Sequence, residues 1–279
     1  ENNDRPGIML AGAMRSYANR WAVTAAHNVA IFTNNDDGHK TAADLHAAGV
    51  SIAAVVDIRQ NAPPSQDYEV IAGGQVVNSN GRLGLSSVDI SLPDGSTRAL
   101  PCGALGMSGG WNPNINLTSH HRGRPVWNEK IAAFCPPDNG PAGLSVAGAA
   151  LGSFTTAEAL ASGASQANAI LKDLGIKQNK VALPRAEDAP ANMTPFWYVK
   201  GCSRAWLDQQ NDVTVKDIKL SHQENFISVE HLKRYTTLGM ATDQGKTSNM
   251  GGLAIMAELT GKTIPEVGTT IFRPPYTPT

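Results

Sequence analysis

Cysteine is scarce in this chain of 279 residues. The three cysteines, Cys102, Cys135 and Cys202, lie far apart and form no CxxC pair. An odd, scattered set of thiols argues against a disulfide framework and favours reduced side chains in a cytoplasmic setting. Cysteine and histidine also form no cluster with the spacing of metal ligands. The sequence therefore predicts neither a disulfide-stabilised fold nor a metal site.

An excess of charge of one sign and long apolar runs are absent as well. The formal net charge is −1, without the basic stripe that a nucleic-acid partner normally requires. No apolar run approaches the roughly 20 residues that cross a bilayer, so we predict no membrane segment. No catalytic triad or pair of carboxylates stands out from residue order, and we predict no catalytic residue on this chain.

The residues that are present suit an α/β protein with a sizeable core, since 41% are hydrophobic and 27 are glycine. Residues 29–32 predict a strand, residues 39–48 a helix that ends at Gly49, and residues 50–56 a strand buried on both faces. With Asp57 after the second strand, this is the order of a Rossmann βαβ unit.

The turn inside this unit departs from the dinucleotide fingerprint. Residues 33–38 read TNNDDG, with one glycine where GxGxxG has three. The two aspartates would also repel a pyrophosphate. We therefore expect the unit to keep the fold without holding a dinucleotide in the usual way, and Asp57 to be a structural or solvent-facing carboxylate rather than a ribose ligand.

The flanking segments extend this unit into a larger architecture. Residues 7–23 predict a helix, and residues 69–92 predict antiparallel hairpins. Return strands over residues 104–108 and 144–146 and a helix over residues 157–174 follow. Disulfide-reductase-like flavoproteins are built in this way, with one dinucleotide domain interrupted by a second.

The last third of the chain predicts a helical region after a proline-rich linker. Its helices are expected over residues 214–225, 229–236 and 251–259, before an extended arm over residues 262–279. The predicted fold class is α/β: a Rossmann-like, disulfide-reductase-type nucleotide-binding domain followed by a small helical domain.

Residues 228–249, SVEHLKRYTTLGMATDQGKTSN, are the most informative run. Gly245-Lys246-Thr247 matches the end of a phosphate loop, but Met240 stands where GxxxxGK[ST] requires its first glycine, so we predict no P-loop. The run resembles the α subunit of heterotetrameric sarcosine oxidase, as do residues 265–278 (PEVGTTIFRPPYTP), 1–13 (ENNDRPGIMLAGA) and 108–113 (SGGWNP). The resemblance extends nearly from end to end.

The resemblance implies that the chain is an internal portion of that subunit. The implied divisions are a connecting helix (1–28), a second Rossmann-like domain with hairpins (29–110), a return to the first dinucleotide-binding domain (111–177), a linker (178–206), a helical ferredoxin-like domain (207–260) and a proline-rich exit arm (261–279).

For the whole enzyme, the resemblance implies an oxidoreductase that acts on CH–NH groups. Sarcosine is oxidatively demethylated to glycine with tetrahydrofolate and O2, giving hydrogen peroxide. The implied partners are the β subunit and the small subunits. FAD and tetrahydrofolate are expected elsewhere in the complex, whereas NAD and an FMN shared with the β subunit are expected beside this chain.

Two sets of candidate cofactor residues follow from the resemblance. Small residues before a predicted helix N-terminus suit NAD, although tight helix–sheet packing explains them equally well. Hydroxyl groups beside lysine and arginine suit the FMN phosphate, although helix capping is an alternative. The NAD set is Gly148, Ala149, Gly152, Phe154 and Thr156. The FMN set is Arg234, Thr236, Thr237, Gln244, Lys246, Thr247 and Ser248.

The helical region also resembles the small domain of bacterioferritin-associated ferredoxin, which holds a 2Fe–2S cluster on four cysteines. The matching positions here are Asp208, Gln210, Asp243 and Ser248. Iron–sulfur clusters require thiolate ligands, so we predict no cluster.

Two alternatives stay open. The first alternative to sarcosine oxidase is the equivalent subunit of an N-methylglutamate-type dehydrogenase, which shares the same long run. The second is a scaffold and interaction module without a cofactor. The substrate-binding groups are expected on another chain, so the sequence does not distinguish sarcosine oxidase from the dehydrogenase.

Overall fold

A parallel sheet forms the centre of the fold. The strands of the first 110 residues are β1 (Ile8–Leu10), β2 (Asn28–Thr33), β3 (Ser51–Asp57), β4 (Val70–Ala72), β5 (Gln75–Asn80), β6 (Ser87–Ser91), β7 (Thr97–Pro101) and β8 (Ala104–Ser108). In the computed structural model, five of them pair in parallel in the order β1-β8-β2-β3-β4. The other three form an antiparallel sheet in the order β5-β6-β7.

The structure describes residues 1–119, 123–138, 140–177, 182–188, 191–202, 204–269 and 273–274. Parts of the predicted linker and most of the end of the predicted exit arm lie outside these residues. Among the residues that are described, no helix is both long and apolar enough to cross a membrane.

The central sheet is covered on both faces. Side chains alternate along a strand, so neighbouring residues of β2 face opposite layers. Ile31 packs in the core beneath helices α1 (Ala11–Trp21) and α2 (Asp36–Ala47), whereas Phe32 packs in the core shared with the antiparallel sheet. Val55 and Val56 of β3 divide in the same way. Burial on both faces explains the continuous apolar run of β3.

Helix α2 begins directly at the turn after β2. The Asn35 side chain caps it by accepting hydrogen bonds from the N–H groups of Asp37 (3.0 Å) and Gly38 (3.2 Å). A side chain at Gly38 would collide with Thr33. The glycine of this turn therefore permits close helix–strand packing.

The later elements follow β8 along the chain. They are α3 (Asn116–Ser119), β9 (Val126–Asn128), β10 (Ala133–Cys135), a 3-10 turn (Gly148–Leu151), α4 (Thr156–Asp173), β11 (Trp206–Asp208), β12 (Val213–Thr214), α5 (Val215–Gln223), α6 (Val229–Thr236), α7 (Asn249–Thr260) and α8 (Ile264–Val267). Helices α5, α6 and α7 share a core that includes Ile218, Leu232 and Ile255. Helix α4, by contrast, has no buried residue.

Several predicted elements differ from the structure. The helix predicted over residues 7–23 begins with β1, because residues 8–10 pair with β8, whose residues are distant in sequence. Strand β4 joins the parallel sheet instead of a hairpin. Residues 144–146 form no strand. The described part of the arm contains α8, where Pro265 and a Thr263–Glu266 capping box start a helix.

Candidate functional site

Asp57 lies at the carboxyl end of β3 and is fully buried. Its carboxylate lies 2.7 Å from His39 Nε2 and accepts hydrogen bonds from Arg59 Nη2 (2.7 Å), Arg59 Nε (3.0 Å) and the Arg59 N–H (2.9 Å). Burial alone raises the pKa of Asp57, but the hydrogen bonds from His39 and Arg59 outweigh it and hold the pKa below the ordinary 3.8. Protein groups thus occupy the carboxylate where a Rossmann domain would bind a ribose.

Arg59 connects Asp57 to the turn before α2. Its Nη1 lies 2.7 Å from Asp36 Oδ1 and donates to the carbonyl oxygen of Asn192 at 3.1 Å. The Arg59 side chain is only 8% exposed. One buried guanidinium therefore connects the carboxyl end of β3, the start of α2 and a segment more than 130 residues later.

That later segment, residues 191–196, crosses the carboxyl edge of the parallel sheet, and we call it the covering segment. It forms an antiparallel bridge between Met193 and Asn35. The Asn192 N–H donates to Asp36 Oδ2 (2.8 Å), and the Thr194 N–H donates to the Asn34 carbonyl oxygen (2.9 Å). The residues predicted as a linker are therefore bonded to the Rossmann turn.

An open cleft lies beside the covering segment. Its walls include Asp36 and Asp37 of the turn, Trp111 after β8, and Phe154 before α4. The carboxyl edge of a parallel sheet is where ligands of such folds bind. The structure thus brings one predicted NAD residue, Phe154, to the acidic turn, which the sequence order does not suggest.

The other predicted NAD residues have protein partners or face solvent. The Gly148 N–H donates to Ser162 Oγ at 2.9 Å, and a side chain at Gly152 would meet Ile131 and Cys135. Thr156 donates its N–H to Asp188 Oδ1 at 3.0 Å, as Ala157 does to the other oxygen at 2.5 Å. Ala149 is exposed. A carboxylate therefore occupies the N-terminus of α4 that the sequence suggested for a phosphate.

The polar loop, residues 236–248, is organised by Asp208. This buried carboxylate accepts hydrogen bonds from the N–H groups of Gly239 (2.8 Å), Gln210 (3.0 Å) and Asn211 (3.1 Å). Gln210 Oε1 in turn accepts from the Asp243 N–H at 3.4 Å. Three of the four positions that match cluster cysteines thus lie together, and hydrogen bonds join the two loops that carry them.

Within the predicted FMN set, several side chains bond to the loop itself. The hydroxyl groups of Thr236 and Thr237 and the Gln244 amide donate to nearby carbonyl oxygens, and Thr247 Oγ1 lies 3.0 Å from Asp243 Oδ2. These side chains stabilise the loop backbone. Such contacts agree with the capping alternative for these three residues and Thr247.

Ser248 and Lys246 are placed differently. Ser248 is 1% exposed, and within the described residues its hydroxyl has no hydrogen-bond partner. Lys246 Nζ lies 3.5 Å from Asn114 Oδ1, and burial lowers the pKa of Lys246 although Asp243 opposes the shift. A partly desolvated ammonium beside the start of α7 has the positive charge that an anionic group requires, and the N-terminal end of the helix dipole has the same sign.

The other cation of the predicted FMN set, Arg234, points elsewhere. Its side chain is 67% exposed and lies 3.6 Å from Glu230 one helical turn earlier. Its neighbour Lys233 is the partly buried residue of the pair, and burial lowers its pKa while Glu230 and Asp208 oppose the shift. Lys233 follows the buried Val229 by four residues, so it shares the inward face of α6. The sequence prediction missed Lys233, because its spacing from Val229 becomes informative only once the buried face of α6 is known.

Comparison with known proteins gives the family. Residues 202–279 match the model of the sarcosine oxidase A3 domain. The whole chain aligns with sarcosine oxidase subunit alpha of Rhizobium meliloti (strain 1021), at 42% identity over 99% of this chain and 28% of the relative. The chain is homologous to a segment of the sarcosine oxidase α subunit. A second α subunit, from Corynebacterium sp. (strain P-1), is 37% identical over 100% of the chain and 31% of its own length.

The chain spans less than a third of the length of the curated relatives it matches. Its fold is shared by L-proline dehydrogenase from P. horikoshii, with a TM-score of 0.70 and 20% identity over 100% of this chain and 54% of that protein. At this low identity, the TM-score shows a common architecture and no more. The shared architecture confirms the predicted α/β class with a parallel sheet followed by helices.

Proposed function

We infer that this chain is part of an oxidoreductase that demethylates sarcosine to glycine with tetrahydrofolate and O2, giving hydrogen peroxide. In this proposal the chain carries no bond-breaking residue. It forms one wall of an FMN pocket at the boundary with a β subunit and one edge of an NAD site. The homology to sarcosine oxidase α subunits over the whole chain supports this proposal.

The observation that carries the flavin part is the position of Lys246. Its ammonium group is partly desolvated, and Lys246 precedes the first residue of α7 by three positions. The hydroxyl side chains of the same loop stabilise the loop backbone. The buried Ser248 hydroxyl adds an unused polar group there, within the described residues. A cation, a helix N-terminus and a spare hydroxyl fit a phosphate monoester.

In the proposed site, Lys246 holds the FMN phosphate, and Thr236, Thr237, Gln244 and Thr247 keep the surrounding loop in place. Arg234 is exposed and paired with Glu230, so it contributes through long-range charge only. FMN, when bound, supplies electron transfer between the amine-oxidising flavin and O2.

The NAD part of the proposal is narrower. Phe154 lines the cleft and offers an aromatic face to a flat ring. The N-terminus of α4 is less suited to a phosphate, because Asp188 accepts its first N–H groups. We therefore assign Phe154, with Gly148, Ala149, Gly152 and Thr156 as its supporting turn, to one edge of the NAD site. The NAD phosphates are then held by other parts of the subunit.

Helix α4 supports the proposed division of the chain at residues 111–177. Most helical stability in proteins comes from tertiary packing, yet this 18-residue helix has no buried residue. Ile170 and the C-cap residue Leu174 are 43% and 66% exposed. In the proposal, these side chains pack in the first dinucleotide-binding domain, which other parts of the subunit complete.

The test is the flavin content of the complex that the chain forms with its presumed β subunit, measured by absorbance and by extraction. Lys246→Ala is expected to lower bound FMN several-fold. Lys262→Ala is the matched control, because Lys262 is exposed and lies just past the opposite end of α7, a helix about 18 Å long at 1.5 Å per residue.

Equal flavin in both variants would remove Lys246 from the site. A complex without any flavin or NAD would instead favour the scaffold alternative. The same extraction also tests for iron and sulfide, which the proposal predicts to be absent.

A further inference from the structure

The acidic turn TNNDDG, residues 33–38, supplies none of the predicted NAD or FMN residues, although Asp36 and Asp37 line the cleft beside Phe154. In a Rossmann unit this turn follows the first strand and opens the helix whose N–H groups hold a pyrophosphate. Here it carries Asp36 and Asp37 in the first turn of α2, where a dinucleotide would bring two more negative charges. The ligand of this crevice must therefore offer donors rather than phosphates.

The first N–H groups of α2 already have acceptors. The Asp36 N–H donates to the Asn192 carbonyl oxygen (3.1 Å), and the N–H groups of Asp37 and Gly38 donate to Asn35 Oδ1. All three groups that would cradle a phosphate are thus satisfied within the chain. A dinucleotide would have to displace both the cap and the covering segment.

The covering segment donates hydrogen bonds to the acidic turn. The Asn192 N–H points at Asp36 Oδ2 (2.8 Å), while Arg59 binds the other Asp36 oxygen and the Asn192 carbonyl. Asn34 exchanges two further bonds with Thr194, through its carbonyl oxygen (2.9 Å) and its side-chain amide (2.8 Å).

An apolar contact fixes the end of the covering segment. The Phe196 ring packs against the core and meets Phe32 of β2 edge to face, with ring centroids 6.1 Å apart. The segment is therefore held by strand-like pairing, by charge and by the packing of one aromatic ring.

We propose that the crevice of this Rossmann unit is a peptide-binding site whose ligand is the chain's own residues 191–196. The Asn192 N–H and the Arg59 guanidinium bind the two Asp36 oxygens, where an outside ligand would otherwise place its donors. The covering segment leads directly to the helical region, so this site anchors that region to the sheet edge. The NAD of the proposed function then binds without opening the crevice.

A disulfide across the Asn35–Met193 bridge tests this directly in the assembled complex. The two residues form a non-hydrogen-bonded antiparallel pair, for which Cα atoms lie about 4.5 Å apart, within the range of a disulfide. Asn35→Cys with Met193→Cys is oxidised mildly, and the crosslink is quantified by mass spectrometry. Asn35→Cys alone is the matched control, since it loses the same helix cap.

The crosslink is expected to form in most molecules and to leave bound NAD and flavin within about twofold of the reduced sample. Added NAD is expected not to change the crosslinking rate. A dinucleotide that competed with the segment at about 100 times its dissociation constant would slow crosslinking about 100-fold by mass action.

Slowing of that kind, or a failure to crosslink, would overturn the proposal. The crosslinking yield does not depend on whether the complex contains NAD. A complex without NAD would therefore count against the proposed function alone, and the disulfide would still report on the covering segment.

Discussion

Replacing Arg59 with methionine removes the centre of the buried ion network. The change keeps most of the volume and the apolar stem but deletes three hydrogen bonds to Asp57 and one each to Asp36 and Asn192. Asp57 is fully buried, and among the described residues its carboxylate would then keep only His39 and one backbone N–H. The partner of a buried charge is lost while the charge remains.

The expected cost is about 3–5 kcal/mol in the free energy of unfolding, the usual effect of breaking a buried ion pair on one side. Arg98→Met is the matched control. Arg98 binds Glu69 through two 2.6 Å hydrogen bonds, but the side chains are 40% and 45% exposed, so the expected cost is below about 1 kcal/mol. Exposure, rather than the length of the bonds, decides the difference.

Urea unfolding of both variants, in the subunit as it is purified, measures this difference. The pH dependence gives a second readout. Since the folded pKa of Asp57 lies below 3.8, its stabilisation is complete above that value and is lost as the pH falls further. In Arg59→Met, burial would raise this pKa, so the deficit should shrink between pH 7 and pH 4. Equal costs for the two arginines, or a deficit independent of pH, would refute the reasoning.

Three further predictions concern other regions. Gly245→Ala should destabilise the helical region by about 1–3 kcal/mol, because Gly245 has a φ of +74° and a side chain there would collide with Asn249; an unchanged melting temperature would contradict this. Burial raises the pKa of Cys102 to about 11, so iodoacetamide at pH 8 should label Cys102 at least tenfold more slowly than Cys202, as mass spectrometry can show; equal labelling would argue for an open core. Asp188→Ala should speed amide exchange in the first turn of α4 and leave its last turn unchanged, whereas uniform exchange would mean that the carboxylate does not cap it.

The sequence alone determined the features that depend on short-range order. The strand–helix–strand unit ending at Asp57 was predicted because buried parallel strands are continuous apolar runs and the helix between them ends at a glycine. The helix at residues 229–236 was predicted with the bounds that the structure gives. The family followed from long runs of matching residues, which specify a relative without any knowledge of contacts.

Only the tertiary structure decided which distant residues meet. No local pattern shows that residues 191–196 pair with the turn at residues 33–38, because the N–H groups of an irregular segment carry no sequence signal of their partners. The choice of Lys233 over Arg234 as the inward cation likewise depends on which face of α6 the rest of the domain buries. Burial and pairing across more than 100 residues come from packing the whole chain, and these long-range contacts determine the electrostatics of the candidate site.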